Sequence, residues 1–404
     1  YNNNLYVAGY FDSIKNFDVR NGLAFWNSTT WSNTYIGNKC TANLLCVYKD
    51  SLITAGSFGT VPGNPGNNYC LLESKGGAWK GIGGTFSSMP QINAILAYDS
   101  VLYVAGNFTS IGGVAITYFA QWDGTKWSSV GGPFNGTIYS MTIYNKALYV
   151  TGYFTSIGGV TANNVAIWDG YTWAALGNGV SVYPRSIVES NGKIYVAGQI
   201  DSAGAVAVNN IAQWDGNSWT ALGSGVNGPV ASMTSYNNNL YVGGCFDSAG
   251  PLKVYYIAGW NGSTWFALDS GVISGAAACP VANSITYNNS LIVAGAFILA
   301  GNIPVNNIAS WTSPLGINEL AYNYFISVYP NPSRGIFNFN ISQYNHETKN
   351  TIEVYNGLGE KVYQSLIDNT PFTLPLNHQA SGIYLYRIVS ENSNLVASGK
   401  LIIQ

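Results

Sequence analysis

Charge is scarce in this chain. Lys, Arg, Asp and Glu supply 8% of its 404 residues, where an ordinary soluble domain carries roughly 25%. Sixteen basic against eighteen acidic residues leave a net charge of −2. That balance excludes the basic footprint of a nucleic-acid binder and a polybasic membrane-surface protein. No apolar run approaches the ~18 residues that a membrane helix needs. Histidine is scarcer still: His346 and His378 are the whole supply. Both lie near the C-terminal end, so residues 1–313 can hold neither a Ser-His-Asp nor a Cys-His centre, and no His-based zinc or copper site. Five cysteines, an odd number, leave at least one thiol unpaired within the chain. What is abundant is hydrophobic material (47%), glycine (47 residues) and tyrosine (29). This composition argues against disorder and for β-strands joined by tight turns. The length suggests two or three domains. The chain opens at Tyr1 with neither a Met nor a signal peptide, and a mature or trimmed product is expected.

A pentapeptide recurs seven times, at Leu5–Gly9, Leu52–Gly56, Leu102–Gly106, Leu148–Gly152, Ile194–Gly198, Leu240–Gly244 and Leu291–Gly295. Its glycines lie 47, 50, 46, 46, 46 and 51 residues apart. That is the period of a propeller blade, and the helical repeats of similar length would show 3.6-residue patterning. Each unit reads as four short strands. In the fourth, Ile138–Tyr144 and Leu148–Phe154 are strands one and two, 155–159 is a loop, Asn164–Trp168 is strand three, and Trp173 opens strand four. Asp169-Gly170 turns the last hairpin, because that turn needs a positive φ. Asp123-Gly124, Asp215-Gly216 and Asn261-Gly262 repeat it. All twelve tryptophans fall in this hairpin, where a large ring at a fixed place packs one sheet on the next. A sugar-stacking platform is expected to break the repeat rather than obey it. Unit one lacks its first strand and unit seven a clear fourth, so seven anchors predict seven blades, with a larger ring as the alternative.

Gly-Gly after strand two and Trp in strand four resemble kelch-type and related propeller repeats, closest to the variant of large cell-surface and cortical-marker proteins. The resemblance covers about residues 1–313 and implies a fold rather than an activity. After a linker at 314–322, residues 323–404 read as alternating strands and turns, which fits a small β-sandwich. The expected fold class is all-β: a seven-bladed β-propeller with a C-terminal Ig-like β-sandwich. In the last segment, Tyr329-Pro330-Asn331-Pro332 is followed three residues later by Gly335. Then come a turn with Gly357 and Gly359, Gly382-x-Tyr384, and a terminal Gly399-Lys400-Leu-Ile-Ile-Gln. Together these resemble the type A C-terminal sorting domain of the Bacteroidetes type IX secretion system. The resemblance implies export through the periplasm to the medium or the outer-membrane surface, with the type IX translocon and its shuttle proteins as partners.

Chemistry is hard to place in the propeller. Of its twelve carboxylates, Asp123, Asp169 and Asp215 hold the same hairpin turn. Asp12, Asp201 and Asp247 hold the same loop after strand two, and Asp50 and Asp99 the turn before it; each is a turn-making slot. Asp18, Glu73, Glu189 and Asp269 fall outside the pattern, and nothing nominates a catalytic pair among them. The loops bring one carboxylate each, so turn capping is preferred to calcium. Some kelch-like propellers house a copper oxidase, and this one lacks the ligands. No catalytic residue, metal or cofactor is expected. Asp-Ser-apolar tripeptides resemble the acceptor of Bacteroidetes O-glycosylation, which nominates Ser13, Ser202 and Ser248. Cys40 and Cys279 are homologous positions in units two and seven, and Cys46 and Cys70 lie two strands apart. Buried free thiols are therefore expected. The favoured function is a non-catalytic binding or adhesion module taking a surface glycan or protein. A self-assembling surface subunit and a polysaccharide-active enzyme are the alternatives. Contacts are expected in the loops that deviate between units, at 14–20, 61–68, 181–185 and 251–256.

Overall fold

The computed structural model describes the chain apart from residues 12, 15–16, 19–21, 35, 37, 61–68, 76, 88–89, 276–278, 313–325, 342–349 and 391–394. The described residues form strands and turns, with no helix among them. They divide into two compact units, Tyr1–Thr312 and Ser313–Gln404. The expected linker at 314–322 lies outside the described residues.

In the first unit every repeat builds its own antiparallel sheet. The fourth sets out Thr137–Tyr144, Ala147–Tyr153, Val165–Trp168 and Trp173–Ala175 side by side in chain order. The first and seventh sheets have three strands each among the described residues. The segment after strand two, expected to be a loop, is a small hairpin instead. In repeat four Ser156–Ile157 pairs with Val160–Thr161. Gly158 and Gly159 turn it at φ of 58° and 82°, the two left-handed residues that a two-residue turn requires.

The first strands of successive repeats pack against one another. A repeated hydrogen bond links them. Tyr1 Oη donates to the Asp50 carbonyl (2.9 Å), Tyr48 Oη to Ser100 (2.9 Å) and Tyr236 Oη to Asn289 (2.7 Å). Where Ser190 replaces this tyrosine, Asn191 Nδ2 reaches the Asn238 carbonyl instead (2.6 Å). Tyr287 Oη then donates to Asn3 at 2.8 Å, which carries the same bond from the seventh repeat to the first. The sheets thus close into a propeller-like ring.

Tryptophan fixes the outer strands. The Nε1 of Trp127, Trp173, Trp219 and Trp265 donates to the carbonyl of Gly83, Val130, Leu176 and Leu222, each in the segment that leaves the preceding sheet. The hairpin's other tryptophan packs on it, as Trp168 does on Trp173 with ring centroids 5.2 Å apart. Between sheets the core is continuous. Ala105 and Phe119 of repeat three meet Val150, Ile157 and Trp173 of repeat four.

The second unit has two sheets. Ile326–Tyr329, Ile336–Ile341 and Phe372–Pro375 form one; Lys361–Ile367, Asn350–Tyr355, Gly382–Ser390 and Leu395–Ile403 form the other. Phe337, Phe339 and Leu374 of the first pack with Ile352, Val354, Ile388 and Leu401 of the second. The result is a β-sandwich.

Candidate binding face and sorting module

Antiparallel order gives the ring two different ends. One end carries the turns between strands one and two and the Asp-Gly or Asn-Gly hairpins, which repeats three to six share. Asp123 Oδ1 accepts from the amides of Thr125 (2.7 Å) and Lys126 (2.9 Å). Asp169, Asp215 and Asn261 bind their own turns in the same way. The next residue, Gly124, Gly170, Gly216 or Gly262, takes φ near 100° (107°, 102°, 103° and 98°) as the first of two central residues, the place for glycine in a type II′ turn. The Thr125 hydroxyl and the turn amides hold the Asp123 carboxyl down at about 2. Backbone amides led by Thr172 and Ser218 lower Asp169 and Asp215 likewise. Other carboxylates are engaged too. Glu73 accepts from Ser51 Oγ (2.7 Å) and pairs with Lys80 (3.3 Å). Glu189 accepts from the Gly192 amide (2.8 Å), and Asp247 from Asn227 Nδ2 (2.6 Å).

The opposite end gathers the starts of strand one, the ends of strand two and the small hairpins. Each strand one has a bulge here: Pro184 pairs with Gly198 and Ser186 with Ala197, leaving Arg185 unpaired. A bulge re-aims the extra side chain. Asn93, Tyr139 and Ala231 hold the equivalent position. The repeat breaks between the fourth and fifth sheets. Tyr153 follows the anchor glycine, a place that Tyr10 shares in the first repeat and that Ser57, Asn107, Gln199, Cys245 and Ala296 hold in the others. Tyr183 stands where other repeats have Gln91, Thr137, Pro229 and Pro280, and it alone of these takes a positive φ, 61°. Their rings stack 5.9 Å apart and 11° from parallel, with 54% and 53% of each residue exposed. Two residues on, the Arg185 guanidinium lies over the Tyr139 ring at 5.5 Å.

Of the loops expected to make contacts, 181–185 is this junction. The 251–256 loop holds an exposed hairpin strand, Leu252–Lys253, with Lys253 Nζ 5.6 Å from the Tyr255 ring. Residues 61–68 lie outside the described residues, and of 14–20 only the backbone pairing of Ser13–Ile14 with Phe17–Asp18 is described. Ser202 and Ser248 open equivalent small hairpins and are partly exposed, Ser202 Oγ bonding Asp201 Oδ1 at 3.0 Å. The Ser13 side chain and His346 lie outside the described residues. One cysteine expectation is corrected: Cys245 and Cys279 form a disulfide between repeats six and seven. The repeat pattern sets Cys279 beside its homologous position Cys40 and says nothing of Cys245, and a bridge between unlike positions of adjacent blades has no spacing signature. Cys46 and Cys70 are free, and burial pushes their thiols up to about 12 and about 11; the Cys40 side chain lies outside the described residues.

In the sandwich, the motif residues meet the chain's last strand. Asn331 Nδ2 donates to the Lys400 carbonyl (2.7 Å), and its Oδ1 accepts from the Ile402 amide (2.9 Å). Ser333 N donates to Ile402 O, and Gln404 N to Ser333 O, each at 2.9 Å. The short bend of Tyr329, Pro330, Asn331 and Pro332 is therefore stitched to the terminal segment 70 residues away. Gly335 (φ 95°) and Gly359 (φ 82°) occupy left-handed turns, and a Cβ on Gly399 would enter the Tyr386 ring. Gly357 shares the Asn356–Glu360 turn, in which Asn356 Oδ1 accepts from Leu358 N and Glu360 N at 3.0 Å. Gly382 opens the strand that buries Tyr384, whose Oη donates to Ala380 O at 2.9 Å.

The sandwich also holds a charged cluster. Glu353 bonds Arg387 Nε (2.5 Å), Lys361 Nζ (3.0 Å) and Tyr355 Oη (2.8 Å). Burial pushes the Glu353 carboxyl up, but these three partners outweigh it and hold it down at about 2. A carboxyl depressed on folding stabilises the fold above its unfolded pKa of about 4.3 and stops doing so as pH falls through the folded value. The second unit should lose stability between about pH 4.3 and pH 2, and Glu353→Gln should flatten that loss in acid-unfolding curves of the full chain. An unchanged acid limb would show that the cluster is not coupled to folding.

Residues 327–404 match the family model for the secretion system C-terminal sorting domain, and this tail is of the type IX kind. The tail implies a cargo of that system, exported to a secreted or cell-surface location. No curated protein matches the chain. Among solved structures, it aligns with PorZ, a surface component of the type IX secretion system of Porphyromonas gingivalis, at 14% identity over 95% of this chain and 63% of that one (TM-score 0.41). It aligns with the WD40 β-propeller domain of Doa1 at 11% over 68% of this chain and 83% of that one (TM-score 0.42). A fungal alcohol oxidase of the AA5 family, in complex with copper, aligns at 11% over 95% of this chain and 90% of that one (TM-score 0.42). The chain spans less than two thirds of the length of PorZ.

Proposed function

We propose that the exported chain is a non-catalytic binding or adhesion module: a seven-bladed, kelch-like propeller delivered to the cell surface by an Ig-like sorting sandwich. The observation that carries this reading is the exposed, stacked Tyr153–Tyr183 pair at the junction of the fourth and fifth sheets. Aromatic and arginine side chains are the residues that concentrate binding energy. The buried tryptophans, by contrast, hold sheet to sheet. Carboxylates bound to their own turns fit a scaffold better than an acid–base pair.

The test uses the purified full chain, labelled, on cell-envelope and extracellular-matrix preparations. Saturable retention without release of new reducing ends or peptides is expected. Release of product would overturn the non-catalytic reading, no retention would remove the binding one, and ordered arrays in negative-stain images would favour a layer-forming subunit instead.

A further inference from the structure

Resting on that reading, we infer that Tyr153 and Tyr183 with Tyr139 and Arg185 form a site for an acidic saccharide, one that presents a flat C–H face beside a carboxylate. The rings supply the first half. Tyr103, Tyr149, Tyr195 and Tyr241, on the second strands of the neighbouring sheets, are buried. Tyr153 and Tyr183 instead leave more than half of themselves to solvent while lying almost parallel. A tyrosine ring has an apolar body and a polar tip, which suits a pyranose with its C–H face and hydroxyl rim. Tyr183 takes left-handed backbone, as Tyr118 and Tyr256 do in other repeats, and such a conformation persists only where the surroundings impose it. Here the Gln199 amide holds the Tyr183 carbonyl at 3.0 Å. Ser181 Oγ accepts from the amides of Asp201 (2.9 Å) and Ser202 (3.1 Å), which pins the start of the same loop. A platform fixed before binding loses little entropy on binding.

Arg185 supplies the second half. Its guanidinium lies on the Tyr139 face, and no carboxylate among the described residues pairs with it. The planar fork of an arginine matches a carboxylate with two parallel N–H bonds. The size of the patch favours a saccharide over a protein. An aromatic side chain presents about 150–250 Å² when fully open, so two half-open rings and one guanidinium fall well short of the ~800 Å² per partner of a stable protein interface.

The probe is a linear oligogalacturonate, titrated calorimetrically into the full chain beside its methyl-esterified form. Arg185→Gln and Tyr153→Ala change exposed side chains, and Tyr183→Ala is the third variant. Tyr171→Ala, at an 88% exposed hairpin tip on the other end of the ring, is the control. Each site variant should weaken binding at least about tenfold, the effect of losing one charge-assisted hydrogen bond or one stacking face. Esterification should weaken it as much, and Tyr171→Ala should not. Equal affinity for the two probes, or unchanged affinity in Arg185→Gln and Tyr153→Ala, overturns the assignment. No binding of either probe by a chain that envelope material still retains overturns the site and ligand class alone. Failure of both experiments removes the binding reading itself.

Discussion

Removal of Leu401–Gln404 should leave the chain inside the cell. The first three of those residues end the strand that lies beside Gly382–Ser390, and two of them, Leu401 and Ile403, are buried at 0% and 6% exposure. Truncating a single buried aliphatic side chain costs about 2–5 kcal/mol. Removing both, with their backbone, approaches or exceeds the roughly 5–15 kcal/mol that holds a whole domain together. The loss extends to the sorting motif, because Ile402 and Gln404 supply three of the bonds that seat Asn331 and Ser333. Asn331→Ala should be milder, about 1–3 kcal/mol from two lost bonds and their unpaired backbone groups, and should reduce rather than abolish export. Protease shaving of intact cells with fractionation separates the outcomes: the truncated chain should be protected and found within the envelope. Surface display at the full-length level would show that delivery does not depend on the folded tail.

The period, the anchor glycines, the hairpin turns and the sorting motif were legible in the sequence because each is a local or strictly repeated requirement. Asp169-Gly170 needs only its own turn, and Tyr329–Pro332 is contiguous. The proposed platform was legible only as irregularity. Tyr153 ends the second strand of one blade and Tyr183 stands just before the first strand of the next, and the pair exists only because the fourth and fifth sheets pack side by side. The bulge at Arg185 is hidden for the same reason, since pairing register across strands has no signature along the chain. Cys245–Cys279 went unread because adjacent blades bring unlike repeat positions together. The small hairpins after strand two were missed because pairs of two residues fall below the length at which alternation can be seen.

Gly198→Val should destabilise the ring far more than Gly216→Ala, although Gly216 has the conformation that glycine favours. Gly216 has φ of 103° with open space around it. An alanine there meets only backbone strain, of order 1–2 kcal/mol. Gly198 is not among the positive-φ residues; its reason for being glycine is space. A Cβ would strike the Tyr183 carbonyl, the Pro184 Cα and the Arg185 amide, all backbone atoms of the bulge. No rotamer change can relieve such a collision, so strand one must move away or the pairing must break. Overpacking costs about 1–3 kcal/mol even where side chains can yield, and a β-branched residue against fixed backbone should exceed that range. In a domain this large, each kcal/mol lowers Tm by roughly 2–4 °C or less, so calorimetry of the full chain should show a drop of several degrees in the propeller transition. The displaced segment carries Tyr183 and Arg185, so saccharide binding should fall with it, whereas Gly216→Ala, on the other end of the ring, should leave binding intact. Equal melting shifts in the two variants would mean that the anchor glycine serves backbone freedom after all, and that the bulge packs less tightly than its register implies.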